Sequence, residues 1–135
     1  MELPSGPARR QPEKTRPPGG GGFWLPGGPG LLRLPGMEHH VYFWLEDERN
    51  NPADRETFER GLADLFAIPH VGGGRWSVPA PTEKRPVTDN SWDYALSVSF
   101  ASLEDHDAYQ VDADHDVFVA AFKDWWQKVL VMDLK

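Results

Sequence analysis

His39-His40-Val41-Tyr42-Phe43-Trp44-Leu45 is a run of aromatic and β-branched residues, and its reading decides the fold. Such side chains suit a pleated, half-buried backbone, so the run predicts a strand. Alternate residues of a strand face opposite sides. Val41, Phe43 and Leu45 therefore form one face, and His40, Tyr42 and Trp44 the other. Both faces are apolar. A strand of this kind needs a cover on each side of its sheet.

Downstream, Asn51-Pro52 offers a helix N-cap followed by a first-turn proline. Phe58, Leu62, Leu65 and Phe66 then recur at helical spacing, a stripe suited to packing on a sheet, and the helix is expected to end near Ile68-Pro69. His70 to Val78 reads as a second strand, weakened by Gly72-Gly73-Gly74. Pro79, Pro81 and Pro86 mark a polar loop. Trp92 to Phe100 alternates cleanly, with Trp92, Tyr94, Leu96, Val98 and Phe100 on one face. Ser102-Leu103-Glu104-Asp105 has the form of a capping box and opens a short helix through Tyr109. A further helix from Asp112–Asp114 presents Phe118, Ala121, Phe122 and Trp125, and Val129 to Leu134 closes the chain as a strand. The order is β-α-β-β-α-β with the second helix broken in two. The expected class is α+β: a ferredoxin-like, four-stranded antiparallel sheet with its helices on one face.

Residues 1–36 are of another kind. They hold nine of the 13 glycines and eight of the 13 prolines. High chain entropy with no periodic apolar pattern predicts a disordered tail. A start of translation at Met37 would place that tail outside the native chain. Five basic residues against two acidic ones give it a charge of +3, which leaves −10 of the chain's total of −7 for residues 37–135. A domain so acidic repels phosphate backbones, so nucleic acid is not an expected partner. No apolar run reaches the roughly 18 residues of a membrane span. The absence of cysteine removes thiolate chemistry and Cys-ligated metals, and fits a cytoplasmic setting.

Helices on one face leave the other face of the sheet in water. A monomer rarely exposes so large an apolar patch, so a homodimer packed sheet to sheet is expected.

The opening strand, Ile68-Pro69 after the first helix, the Tyr94-to-Phe100 strand with its capped helix, Tyr109-Gln-Val-Asp-Ala-Asp-His115-Asp-Val-Phe118 and the closing Trp126-to-Asp133 segment together resemble the stress-responsive dimeric α/β barrel (Dabb) domain. The resemblance covers nearly all of residues 38–135. It implies two ferredoxin-like subunits joining their sheets into a barrel. Plant members of the family act as polyketide cyclases without cofactor, and the wider group includes cofactor-free monooxygenases, lactone isomerases and haem enzymes. Fold alone does not choose among these.

On that resemblance His115 matches the histidine base of the cyclases, Tyr109 the tyrosine that assists it, and His40 the first-strand histidine. In the first turn of a helix, the backbone dipole favours a neutral His115 ring, while Asp112, Asp114 and Asp116 favour the charged one. Sequence leaves that balance open. Tyr94, Trp92, Tyr42 and Trp44 are expected to line a pocket for a small hydrophobic or aromatic ligand. The chain departs from the family where His-Pro is common, with Asp112-Ala113, and carries Tyr94 where the cyclases have a further histidine. Two functions follow: a ligand-binding dimer with structural histidines, or a cofactor-independent enzyme, cyclase-like or monooxygenase-like, using His115 and Tyr109. No metal or cofactor is expected. The Asp112-x-Asp114 run lacks the glycine and distal glutamate of a calcium loop, and nothing specifies a haem ligand.

Overall fold

In the computed structural model, which describes residues 36–135, the run around Tyr42 is the strand β1 (Met37–Leu45). The reading of residues 1–36 as a disordered tail ahead of a start at Met37 concerns residues outside that range apart from Gly36. A short 3₁₀ turn leads into α1 (Pro52–Leu65), followed by β2 (Gly73–Ser77), β3 (Tyr94–Phe100), α2 (Leu103–Gln110), α3 (Ala113–Phe122), a second 3₁₀ turn and β4 (Trp126–Leu134). The sheet order is β2-β3-β1-β4, antiparallel throughout. This is the expected α+β, ferredoxin-like architecture.

Local chemistry sets the helix starts. Asn51 accepts the Asp54 N–H at 2.9 Å, Ser102 accepts the Asp105 N–H at 3.1 Å and Asp112 accepts the Asp114 N–H at 2.8 Å. Each cap satisfies a backbone donor that the helix itself cannot. The Asp112–Asp116 run is thus a helix start whose leading carboxylate caps the turn.

The core lies between the helices and one sheet face. Phe58 of α1 is fully buried among the rings of Phe43, Tyr94, Phe118 and Phe122. Gly61 permits the close approach of α3, since a Cβ there would stand 2.4 Å from the Phe122 ring. β1 alternates strictly, with Met37, His39, Val41, Phe43 and Leu45 buried beneath the helices and Glu38, His40, Tyr42 and Trp44 only half-buried. Cross-strand partners share a face, so Lys128, Leu130, Met132 and Leu134 of β4 lie on the open side with Trp44, Tyr42, His40 and Glu38. That side is apolar at Tyr42, Trp44, Leu130, Met132 and Leu134 of β1 and β4, and polar along β3 and β2, where Ser97, Ser99, Arg75 and Ser77 face it.

Four local expectations are corrected. β2 is shorter than His70–Val78, because the chain is still turning at His70, which holds a left-handed φ of 81°. Trp92 is outside β3 and does not share the face of Tyr94. The chain bends at Asp93, whose carboxylate accepts the Leu45 N–H at 2.8 Å and the Asn50 amide at 3.0 Å. The Trp92 ring consequently packs on Tyr42 at the open side, with centroids 5.4 Å apart. In α3, Ala121 is exposed and Val119 packs against the core instead. β4 begins at Trp126 rather than Val129, because pairing with Leu45 extends it past a bulge.

Candidate functional site

On the helix side of the sheet, β4 sets Val129, Val131 and Asp133 beside Phe43, Val41 and His39 of β1. The β1 residues are buried, whereas Val129 and Val131 are 36% and 48% exposed. The helix layer therefore stops short of the edge strand and leaves an apolar shelf along it. At one end of the shelf Trp126 packs on Phe43 and Phe118, with its indole N–H buried and unpartnered among the described residues. At the other end the polar side chains gather.

That cluster is assembled from four elements. His39 of β1 and Asp133 of β4 are cross-strand partners, joined Nδ1 to Oδ1 at 2.6 Å. His106 of α2 stands edge-on to His39, with centroids 5.0 Å apart. Three residues further along α2, on the same helix face, the Tyr109 ring lies 6.1 Å from His39 and 4.9 Å from His115 of α3. Phe100 of β3 supports both His106 and Tyr109 from below.

Protonation follows from burial. Tyr109 is 1% exposed, nothing among the described residues hydrogen-bonds its hydroxyl, and burial pushes its pKa well up, so it stays a neutral phenol. The Gln110 amide lies 3.1 Å from His115 Nε2. An amide nitrogen only donates, so that ring nitrogen accepts and the ring proton sits on Nδ1. Burial lowers the His115 pKa, with His39 and His106 adding to the effect against the pull of Asp116 and Asp112. The balance left open by sequence falls on the neutral ring. His39 is also lowered, by burial first, against the raising influence of Asp133.

A histidine held below its ordinary pKa makes folding favourable only while the ring is neutral. The unfolded chain binds that proton more readily, so the contribution is present above about pH 6.5 and is lost as pH falls through the folded-state value. Thermal melts in chelator should therefore show a midpoint that drops between about pH 7 and about pH 5. The drop should be smaller in His115→Gln. An equal drop in both proteins would contradict this account.

The residues singled out from the sequence do not form one group. His115 and Tyr109 are in contact. His40 is on the opposite side of the sheet, bonded to Glu38 at 3.0 Å and sharing its face with Tyr42 and Trp44. His39, not His40, lies beside Tyr109, since it shares the parity of Val41 and Phe43. The aromatic residues divide likewise. Tyr42, Trp44 and Trp92 lie at the open side, where Lys128 also sits over the Trp44 ring. Tyr94 is buried beneath α1 with its hydroxyl on Glu59 and the Arg55 guanidinium over its ring. His106 was legible as a residue three before Tyr109 on a short helix. Asp133 was not, because only the β1–β4 register brings it to His39.

Comparison with known proteins gives the same fold. The stress responsive A/B barrel domain family (Dabb) matches residues 37–135. A Dabb-family protein with a ferredoxin-like fold from Mesorhizobium loti superposes with a TM-score of 0.61 at 22% identity, over 73% of this chain and 94% of its own. A dimeric ferredoxin-like protein of unknown function from Thermobifida fusca gives 0.60 at 19% identity, over 74% and 90%. The hydroxynitrile lyase of Passiflora edulis gives 0.62 at 14% identity, over 74% and 93%. At these identities the likeness is one of fold. No curated protein matches the chain. With the family match spanning every secondary-structure element described above, this chain belongs to the stress responsive A/B barrel (Dabb) domain family.

Proposed function

We propose that the protein is a homodimeric barrel that binds a small, largely apolar aromatic ligand on the β4 shelf and exchanges a proton with it through His115 and Tyr109. The observation that carries this reading is the meeting of a neutral imidazole and a phenol with no hydrogen-bond partner among the described residues, ring centroids 4.9 Å apart, at the end of an exposed apolar strand. A neutral imidazole accepts a proton, and a phenol of raised pKa donates a hydrogen bond to the anion that forms. In the free protein the Gln110 amide holds the His115 lone pair, so a ligand hydroxyl would take that amide's place. The dimer is supported by the apolar half of the open sheet face and by relatives described as dimeric. A cysteine-free acidic chain fits the cytoplasm.

The probe is 2-naphthol, an apolar phenol whose emission differs between its neutral and ionised forms. The expected result is saturable binding with naphtholate emission from the bound state. His115→Phe should retain binding and show naphthol emission alone. Binding without naphtholate emission in the native protein would leave a ligand carrier with structural histidines. Absence of saturable binding would sink the reading altogether.

A further inference from the structure

The three donors nearest one another in the cluster are not the proton-transfer pair. One donor atom from each of His39, His106 and Asp133 lies within 4.8 Å of the others. They arrive from β1, α2 and β4, so the group is built by tertiary folding rather than by a local run of polar residues. His106 is only 9% exposed, and its Nε2 is buried with no hydrogen-bond partner among the described residues. Its Nδ1 is held 3.0 Å from the Asp107 carboxylate. A carboxylate accepts, so the ring proton is on Nδ1 and Nε2 is a bare lone pair. Leaving such an acceptor buried and unsatisfied is unfavourable. A bare lone pair on a ring packed against the His39–Asp133 pair, with a second carboxylate fixing its tautomer, is the arrangement that metal-ligating histidines adopt.

We propose that His39, His106 and Asp133 bind one divalent transition-metal ion per chain, zinc being the best fit. Two imidazoles and one carboxylate are borderline donors, which favour zinc, cobalt or iron(II) over calcium or magnesium. Three protein donors leave a fourth position for water or a ligand oxygen, as in zinc sites that act as Lewis acids. The ion takes the place of the proton shared between His39 and Asp133, which stand 2.6 Å apart and must spread by about 0.7 Å, to the roughly 3.3 Å that separates two ligands of a tetrahedral ion. An entry path exists, because the Asp133 side chain is 46% exposed at the end of β4. The sequence drew attention to a different acidic run, Asp112–Asp116. The inference goes beyond the proposed proton transfer and does not depend on it, since neither His115 nor Tyr109 is a donor.

The test is titration of the chelator-stripped full chain with Zn²⁺ by calorimetry and with Co²⁺ by visible absorption. The expected result is one ion per chain at micromolar or tighter affinity, with the intense d–d bands of four-coordinate cobalt. Asp107→Asn should weaken binding about 10–100-fold through the orientation of His106. His106→Phe should remove the cobalt bands. If that variant fails to fold, Asp133→Asn carries the same expectation from an exposed position. His115→Phe should bind cobalt unchanged, which separates failure here from failure of the proton-transfer reading. No stoichiometric binding by the native chain, or binding indifferent to both His106→Phe and Asp133→Asn, would overturn the site.

Discussion

Phe58→Ala is expected to cost about 3–5 kcal/mol of folding free energy. Phe58 has no exposed surface, and its ring makes edge or tilted contacts with Phe43, Tyr94, Phe118 and Phe122 and a stacked one with Trp125. These partners come from β1, β3, α3 and the turn before β4, so truncation opens a void that no single element can collapse to fill. The loss combines the transfer term with the cavity term. A single domain of this size has roughly 5–15 kcal/mol of total stability, so the variant should lose a large share of it. Urea unfolding would show a lower midpoint at unchanged slope. A loss under about 1 kcal/mol would mean the aromatic cluster is not the centre of the fold.

On the proposed sheet-to-sheet dimer, Leu130→Glu should convert the protein to a monomer. Leu130 lies beside Tyr42 on the open sheet face, in the apolar half formed with Trp44, Met132 and Leu134. At 36% exposure in the single chain it can carry a solvated carboxylate, so the fold should change by no more than about 0.5 kcal/mol. Packed against a second sheet, the same carboxylate would lose its water, and Lys128, the neighbouring cation on that strand face, is seated over the Trp44 ring, so the cost is several kcal/mol. Dimer dissociation should strengthen by at least about 100-fold, since every 1.4 kcal/mol is tenfold. Val117→Glu, at a 65% exposed position on α3, is the matched control and should leave the dimer intact. Sedimentation at micromolar concentration reads both. A native chain that sediments at 15.2 kDa, or a Leu130→Glu chain that remains dimeric, would refute a sheet-to-sheet dimer.

Much of the fold was legible because local rules decide it. The alternation of β1, the caps at Asn51 and Ser102, the helix start at Asp112–Asp114 and the stripe Phe58-Leu62-Leu65 each depend on neighbours within a few residues. Where the reading failed, a distant residue intervened. Trp92 continues the alternation of β3 on paper, but Asp93 is drawn to the Leu45 N–H and Asn50, and the strand breaks there. Trp126 joins β4 only because Leu45 lies across from it. The candidate site was legible by half. His115 and Tyr109 sit six residues apart on consecutive helices, and the structure puts their rings in contact. His40 lies on the face of Tyr42 and Trp44, as its parity implies, while His39, one position earlier, faces Tyr109, because neighbouring residues of a strand point to opposite faces.

The sequence by itself determined an α+β, ferredoxin-like chain whose first strand is apolar on both faces, because periodicity and capping are written in short stretches of residues. Tertiary structure alone decided which polar groups meet. The β1–β4 register carries Asp133 to His39, 94 residues away, and α2 lowers His106 onto the pair. Burial of that cluster then holds His115 neutral against its own aspartates. Register and burial are properties of the packed whole, since both depend on which surfaces come together once the helices have settled on the sheet.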